Sequence, residues 1–167
     1  MKIFITTDAE QTKELGELLA EEIKGGKIIC LEGELGSGKT TFTQGLLKGL
    51  GIKDPYTSPT FVVMKHYKRK LKGRKLLTKI RGGVQDIYHI DAYRVTAKNV
   101  LDIGWEEIVA DKNNIIIIEW ANKIKKIIPQ KSLWIKLKLV NPSHAIPAES
   151  RRTEASENKR EIILLSK

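Results

Sequence analysis

The residues with the plainest chemistry are Gly33-x-x-x-x-Gly38-Lys39-Thr40, inside "EGELGSGKTT" (Glu32 to Thr41). Glycines at this spacing let successive backbone N–H groups turn toward one oxyanion. A helix that follows aims its positive end at the same point. Lys39 is then in reach of β- and γ-phosphates, and the Thr40 hydroxyl is placed to ligate Mg²⁺. The pattern names a ligand class and not a job, because kinases, switches, motors and helper ATPases all use such a loop. Read without a ligand, it is a glycine-rich turn from strand to helix.

A phosphate loop needs an acid to complete a metal site. Glu119 ends the apolar run Ile115 to Ile118. A buried strand beside the loop strand would bring its carboxylate near Mg²⁺, directly or through water, where it can orient an attacking water. The plainer reading is an acid marking a strand's exit into solvent. Asp91 in "YHIDAYR" is a second carboxylate at the end of an apolar strand, and reads equally as a site residue or a turn acid. Alternation puts His89, Asp91 and Tyr93 on one face, with His89 a packed or hydrogen-bonded strand residue rather than a catalyst. "TSPTF" (57–61) reads as a Ser-Pro turn before a strand, or as a switch segment whose hydroxyls sense the γ-phosphate or metal. Trp120 either stacks on a base or fills core, and Cys30 is a small buried apolar residue.

The elements that must hold these residues are readable from periodicity. "KIFITT" is a short strand. Residues 8–24 carry Leu15, Leu18, Leu19 and Ile23 at helical spacing, with Asp8 as the cap and Gly25-Gly26 as the stop. "KIICLE" suits a buried parallel strand. "KTTFTQGLLKGLG" reads as a helix with Phe42, Leu46, Leu47 and Leu50 inward. "TFVVMKHYK" and "GVQDIYHIDAYR" are strands flanking a hairpin tip. "KNVLDIGWEEIVAD" is a helix, "NIIIIEW" a buried strand, "SLWIKLKLV" a half-exposed strand, and "REIILL" a last strand after a polar loop at about 141–159. Strands alternating with helices predict an α/β fold: a mixed, mostly parallel sheet flanked by helices, with antiparallel C-terminal strands.

The chain has 167 residues, which fits one domain with a full core. Its single cysteine excludes an internal disulfide framework and a multi-Cys zinc site, and fits a reducing compartment. The longest apolar run is far too short to span a bilayer, and the N-terminus turns acidic before a signal-type stretch develops. These features predict a soluble, cytoplasmic protein with no membrane partner. The net charge is +10, and nine Lys or Arg with no acid lie between Lys65 and Arg81. That basic insertion, at about 65–85, either offers a patch to an anionic partner such as tRNA or keeps a hairpin tip solvated.

Taken together, "LEGELGSGKTTFTQGLLKGLG", "SPTF", "YHIDAYRV", "DIGWEEI" and "IIIIEWANKI" with Pro129 after it resemble the TsaE (YjeE) family, small ATPases required for making threonylcarbamoyladenosine in tRNA. The match runs from about Thr6 to Pro129. The resemblance implies a P-loop NTPase fold with ATP and Mg²⁺ as cofactors. It implies that Gly36, Ser37, Gly38, Lys39, Thr40 and Thr41 form the phosphate loop, with Thr40 a metal ligand. It makes Ser58 and Thr60 a switch-like segment, Asp91 and Glu119 the two functional acids with Glu119 on the metal side, and Trp120 a nucleotide-site residue. Thr7 and Arg160 match peripheral nucleotide contacts. The segments 68–85 and 141–159 are longer than the family pattern. The resemblance also implies partners, TsaD and TsaB, which transfer the threonylcarbamoyl group while the ATPase resets the complex. A small-molecule or nucleoside kinase, and a nucleotide-gated binding module, use the same loop and are the alternatives. Turnover that rises with TsaB and TsaD separates the first reading from turnover that rises with a small hydroxylated acceptor.

Overall fold

Short-range chemistry sets the first elements. In the computed structural model, which describes residues 1–23, 25–53, 55–60, 62–68, 86–140 and 159–165, strand β1 (Lys2–Thr6) leads to Asp8. The Asp8 carboxylate accepts a hydrogen bond from the Gln11 backbone N–H at 2.8 Å and caps helix α1 (Ala9–Glu22). Strand β2 (Lys27–Glu32) follows, then the glycine loop and helix α2 (Lys39–Gly49). As its sequence predicts, α2 buries Phe42, Leu46 and Leu47, and Leu50 just beyond it is also buried.

Strands β3 (Met64–Lys68) and β4 (Asp86–Asp91) pair antiparallel, so the predicted hairpin base is present. Its basic tip lies outside the described residues, as does the polar loop at 141–158. The single helix expected over "KNVLDIGWEEIVAD" is two short ones, α3 (Ala97–Asp102) and α4 (Trp105–Ala110). Gly104 between them has φ +85, a left-handed conformation that ends one helix and starts the next. Strand β5 (Ile115–Glu119), 3-10 turns at Ala121–Ile127, strand β6 (Leu133–Leu139) and strand β7 (Arg160–Leu165) complete the order.

The strands form one seven-stranded sheet in the order β1-β7-β6-β2-β5-β4-β3. Five strands run one way, but the pairings divide evenly: β2–β5, β2–β6 and β4–β5 are parallel, while β1–β7, β6–β7 and β3–β4 are antiparallel. The sheet is therefore mixed. β7 doubles back between β6 and β1, and β3 folds back on β4.

The central strands are covered on both faces. On one, Ile29, Leu31, Ile115 and Ile117 meet α1 and α2; on the other, Ile28, Cys30, Ile116 and Ile118 meet α3, α4 and the 3-10 turns. That is why β2 and β5 read as continuous apolar runs. Helix α1 follows its predicted apolar pattern in part: buried Ile23 and half-buried Leu15 and Leu19 pack on the core. Leu18 is 63% exposed, and the buried positions within the helix itself are Thr12, Gly16 and Ala20. A Cβ on Gly16 would lie 2.5 Å from the Phe42 carbonyl oxygen, and one on Gly45 would lie 2.0 Å from the Lys13 carbonyl oxygen. The two helices thus touch backbone to backbone through small residues. Among the described residues no helix is long and apolar enough to cross a membrane.

Candidate functional site

Parallel strands gather their C-terminal ends at one edge, and that edge is where ligands bind in open α/β sheets. Here Leu31 of β2 pairs with Glu119 of β5, which pairs with Asp91 of β4. The register therefore sets both carboxylates beside the loop that leaves β2. In that loop Gly33 has φ +151, and a Cβ there would meet the Leu137 carbonyl oxygen at 2.2 Å. Gly38, with φ +95, is the N-cap of α2, and a Cβ on it would press on the Arg160 side chain at 3.0 Å. These two positions require glycine for conformation and for space.

Lys39 is 4% exposed. Its ammonium donates to the carbonyls of Gly33 (2.9 Å) and Glu34 (2.7 Å) and to Ser37 Oγ (3.3 Å). It also lies 3.7 Å from the centre of the Trp120 ring. Burial pulls its pKa down, while the charges of Glu119 and Asp91 oppose that shift.

Thr40 Oγ1 donates to Glu119 Oε2 at 2.7 Å. The other oxygen, Oε1, is 2.9 Å from His89 Nε2, and the His89 and Glu119 side chains are each 2% exposed. Asp91 is held as firmly. Its Oδ2 accepts from Ser58 Oγ (2.8 Å) and Thr60 Oγ1 (2.5 Å), and its Oδ1 from the Tyr93 backbone N–H (2.9 Å). The segment carrying Ser58 and Thr60 is tied at its root, where Gln44 Nε2 donates to the Tyr56 carbonyl at 2.9 Å. At its far end Val63 sits at φ +66, a strained conformation for a β-branched residue, and its carbonyl accepts from the Asp91 N–H at 3.0 Å.

Trp120 also has a left-handed backbone, φ +58, immediately after Glu119. Its ring packs against Tyr93 with centroids 4.8 Å apart and reaches over Lys39. Lys123 Nζ donates to the Tyr93 carbonyl at 2.5 Å and steadies that pair.

A cavity of about 520 Å³ opens over these groups, a size suited to a small ligand. Of the residues singled out in the sequence, Gly36, Gly38, Lys39, Thr40, Thr41, Ser58, Thr60, Asp91, Glu119, Trp120 and Arg160 line it. Arg160 opens β7, in register with Thr6 and Leu139, across the loop from α2. Ser37 is fully buried beneath the loop. Thr7 does not line the cavity: its backbone N–H and hydroxyl both donate to Gln11 Oε1 at the start of α1, at 3.0 and 3.1 Å. Leu35, Tyr93 and Arg94 line it too. Tyr93 and Arg94 lie two and three residues after Asp91, so the motif around that acid was their signal, whereas the 76% exposed Leu35 carried none. Among the described residues no cluster of three or more His, Cys, Asp or Glu could hold a metal unaided.

Residues 6–146 match the family model described as threonylcarbamoyl adenosine biosynthesis protein TsaE. Relatives named tRNA threonylcarbamoyladenosine biosynthesis protein TsaE include one from Bacillus subtilis, 37% identical over 80% of this chain and 75% of its own length. One from a Nostoc species is 40% identical over 74% of this chain and 69% of its own. One from Treponema pallidum is 29% identical over 81% and 90%. The crystal structure of Bacillus subtilis YdiB superposes with a TM-score of 0.69 at 28% identity, covering 98% of this chain and 83% of that one. The glycine loop, the two paired acids and these matches over most of the sequence together establish that the chain belongs to the TsaE family.

Proposed function

We propose that this protein is a P-loop NTPase that binds ATP with Mg²⁺ and hydrolyses it in support of threonylcarbamoyladenosine formation in tRNA, acting with TsaD and TsaB. The observation that carries the proposal is the hydrogen bond from Thr40 to Glu119, which joins the phosphate loop to the end of the neighbouring parallel strand. A hydroxyl and a carboxylate are the two protein oxygens that Mg²⁺ takes when phosphate and water supply the rest. Bound there, Mg²⁺ would neutralise charge developing on the phosphates.

The chain's own groups then divide the work. Backbone N–H groups of the loop and the start of α2 receive phosphate oxygens. Lys39 exchanges its bonds to the Gly33 and Glu34 carbonyls for phosphate oxygens, keeping its charge beside Glu119 and Asp91. Asp91 orients the Ser58 and Thr60 hydroxyls toward the γ-phosphate side. Glu119, fixed at both oxygens, is placed to orient the attacking water. Arg160 lies over Gly38 at the edge of the phosphate site, and Trp120 closes the cavity above Lys39. Thr7, bonded to Gln11, is the weakest candidate for nucleotide contact. A cytoplasmic location suits tRNA as the eventual substrate and Cys30 as a free thiol. The basic stretch from Lys65 to Arg81 is a candidate for phosphate contacts with tRNA, which would weaken steeply with salt.

The test is ATP hydrolysis by the protein alone, with the TsaB–TsaD pair, and with the pair plus tRNA. Stimulation by the pair supports the proposal. Stimulation only by a small hydroxylated acceptor, with the phosphate recovered on it, would replace the reading with a kinase.

A further inference from the structure

We propose that His89 is a positioning residue: its Nε2–H clamps one oxygen of Glu119 so that the other faces Thr40 and the cation. The inference rests on the reading of Glu119 as the metal-side acid. Three observations carry it. The His89–Glu119 contact is 2.9 Å between two side chains that are each 2% exposed, so water cannot substitute for either partner. The two oxygens of Glu119 are divided without overlap, Oε1 to His89 and Oε2 to Thr40. The other ring nitrogen of His89, Nδ1, is buried with no hydrogen-bond partner among the described residues.

The last point fixes the direction of the bond. A carboxylate only accepts, so Nε2 must carry the hydrogen that points at Glu119. A hydrogen on Nδ1 would be a buried donor with nothing to receive it, which is costlier than a bare lone pair there. The hydrogen on Nε2 therefore points at Glu119 Oε1, and the ring fixes the direction in which that carboxylate lies. Alternation along β4 explains why one short strand supplies both services. His89 and Asp91 lie two residues apart on one face. Asp91 sits level with Glu119, and His89 sits two residues deeper, opposite Ile117, from where it reaches diagonally to the carboxylate.

Residues that hold metal ligands in this way typically change metal affinity or activity by about 10- to 100-fold when replaced. Three substitutions separate orientation from packing: His89→Gln keeps an N–H donor, His89→Leu fills the space without one, and Glu119→Gln removes the acceptor charge. The Mg²⁺ concentration at half-maximal binding of a fluorescent ATP analogue should rise about 10-fold or more in His89→Leu and be largely restored in His89→Gln. Affinity for the Mg²⁺-free nucleotide and the melting temperature of His89→Gln should stay near wild type. Nitrogen-15 correlation spectra of the unliganded protein should show the Nε2–H tautomer for the ring whose signals vanish in His89→Gln, and those signals should shift in Glu119→Gln.

An Nδ1–H tautomer, or an unchanged Mg²⁺ half-point in His89→Leu, overturns the clamp. Equal losses in His89→Leu and His89→Gln, tracking equal falls in melting temperature, show a packing role and overturn it as well. A wild-type protein that neither binds nor hydrolyses MgATP refutes the reading of the site itself, whereas the tautomer measurement judges the clamp alone.

Discussion

Replacing Gly45 by alanine sets two known effects against each other. In a helix interior alanine is favoured over glycine by about 1 kcal/mol, so propensity alone would stabilise α2. Sterics oppose it. The new Cβ would lie 2.0 Å from the Lys13 carbonyl oxygen, 2.8 Å from its carbon and 2.9 Å from the Lys13 Cα. All three are backbone atoms of α1, so no side-chain rotation relieves the contact. The helices must separate by about 1 Å before carbon and oxygen reach a tolerable distance. Overpacking of this kind costs about 3 kcal/mol at the upper end of its usual range. The net expectation is a loss of about 2 kcal/mol, or roughly 4–8 °C in melting temperature. Because α2 begins with Lys39 and Thr40, the same displacement moves both away from Glu119. A shift of about 1 Å at reacting groups can cost on the order of 100-fold in rate. Thermal melts and ATP turnover of Gly45→Ala test both expectations. Leu18→Ala is the control, since a 63% exposed side chain should change stability by no more than about 0.5 kcal/mol. If Gly45→Ala melts at or above the wild-type temperature, or Leu18→Ala costs as much, the account of the α1–α2 contact is wrong.

Three further outcomes follow from the site and the core. Lys39→Ala removes the charge-assisted bonds to phosphate and should weaken ATP binding at least about 100-fold, read by calorimetric titration. Glu119→Ala should keep ATP affinity within a few-fold but lower Mg²⁺-dependent turnover about 100-fold or more, read by phosphate release. Burial pushes the Cys30 thiol from 9.0 up to about 12, with Glu32 adding to the rise and a bond to Ser132 opposing it. The folded state therefore favours the neutral thiol. Its contribution is intact below the unfolded value and is lost as pH climbs from 9 toward 12. Denaturant melts should show wild type losing about 1.4 kcal/mol relative to Cys30→Val between about pH 7 and pH 10.

Local chemistry made part of this legible in advance. The glycine spacing located the turn from β2 into α2, the leucine pattern gave the buried face of α2, and the four isoleucines gave a strand buried on both sides. Other features depend on contacts between distant segments or on residues that carry no hydrophobic signal. Gly16 and Gly45 have no side chain for an apolar pattern to register, so the pattern finds Leu15, Leu19 and Ile23 but misses the close contact through small residues and wrongly turns Leu18 inward. The break at Gly104 turns on a left-handed backbone inside an otherwise helical pattern. The 3-10 turns at Ala121–Ile127 follow a tryptophan in a conformation that nothing in its neighbours announces. Asp91 was undecided between site and turn because its three donors come from Ser58, Thr60 and Tyr93, two of them more than thirty residues away. His89 is the packed, hydrogen-bonded strand residue that its sequence suggests, but its partner, Glu119, is set by the pairing of β4 with β5 and not by its neighbours in sequence.

The four isoleucines of β5 raise a question of alignment. A run that is apolar on both faces has no inward and outward side to choose between, so burial does not distinguish one strand register from the next. Sliding β5 by two residues along β2 would still set apolar against apolar, Ile115 on Ile29, Ile116 on Cys30 and Ile117 on Leu31, while moving its end about 6–7 Å. What marks the ends are polar groups. At the start, buried Asn114 gives Nδ2 to the Ile108 carbonyl at 2.9 Å and takes the Gly26 N–H on its own carbonyl at 2.9 Å. At the finish, Glu119 meets Thr40 and His89. In any slipped register the carboxylate would be dragged into the sheet or cut off from both donors. The glutamate proposed for hydrolysis thus also marks the register of β5, so its loss is expected to lower the yield of correctly assembled protein as well as turnover.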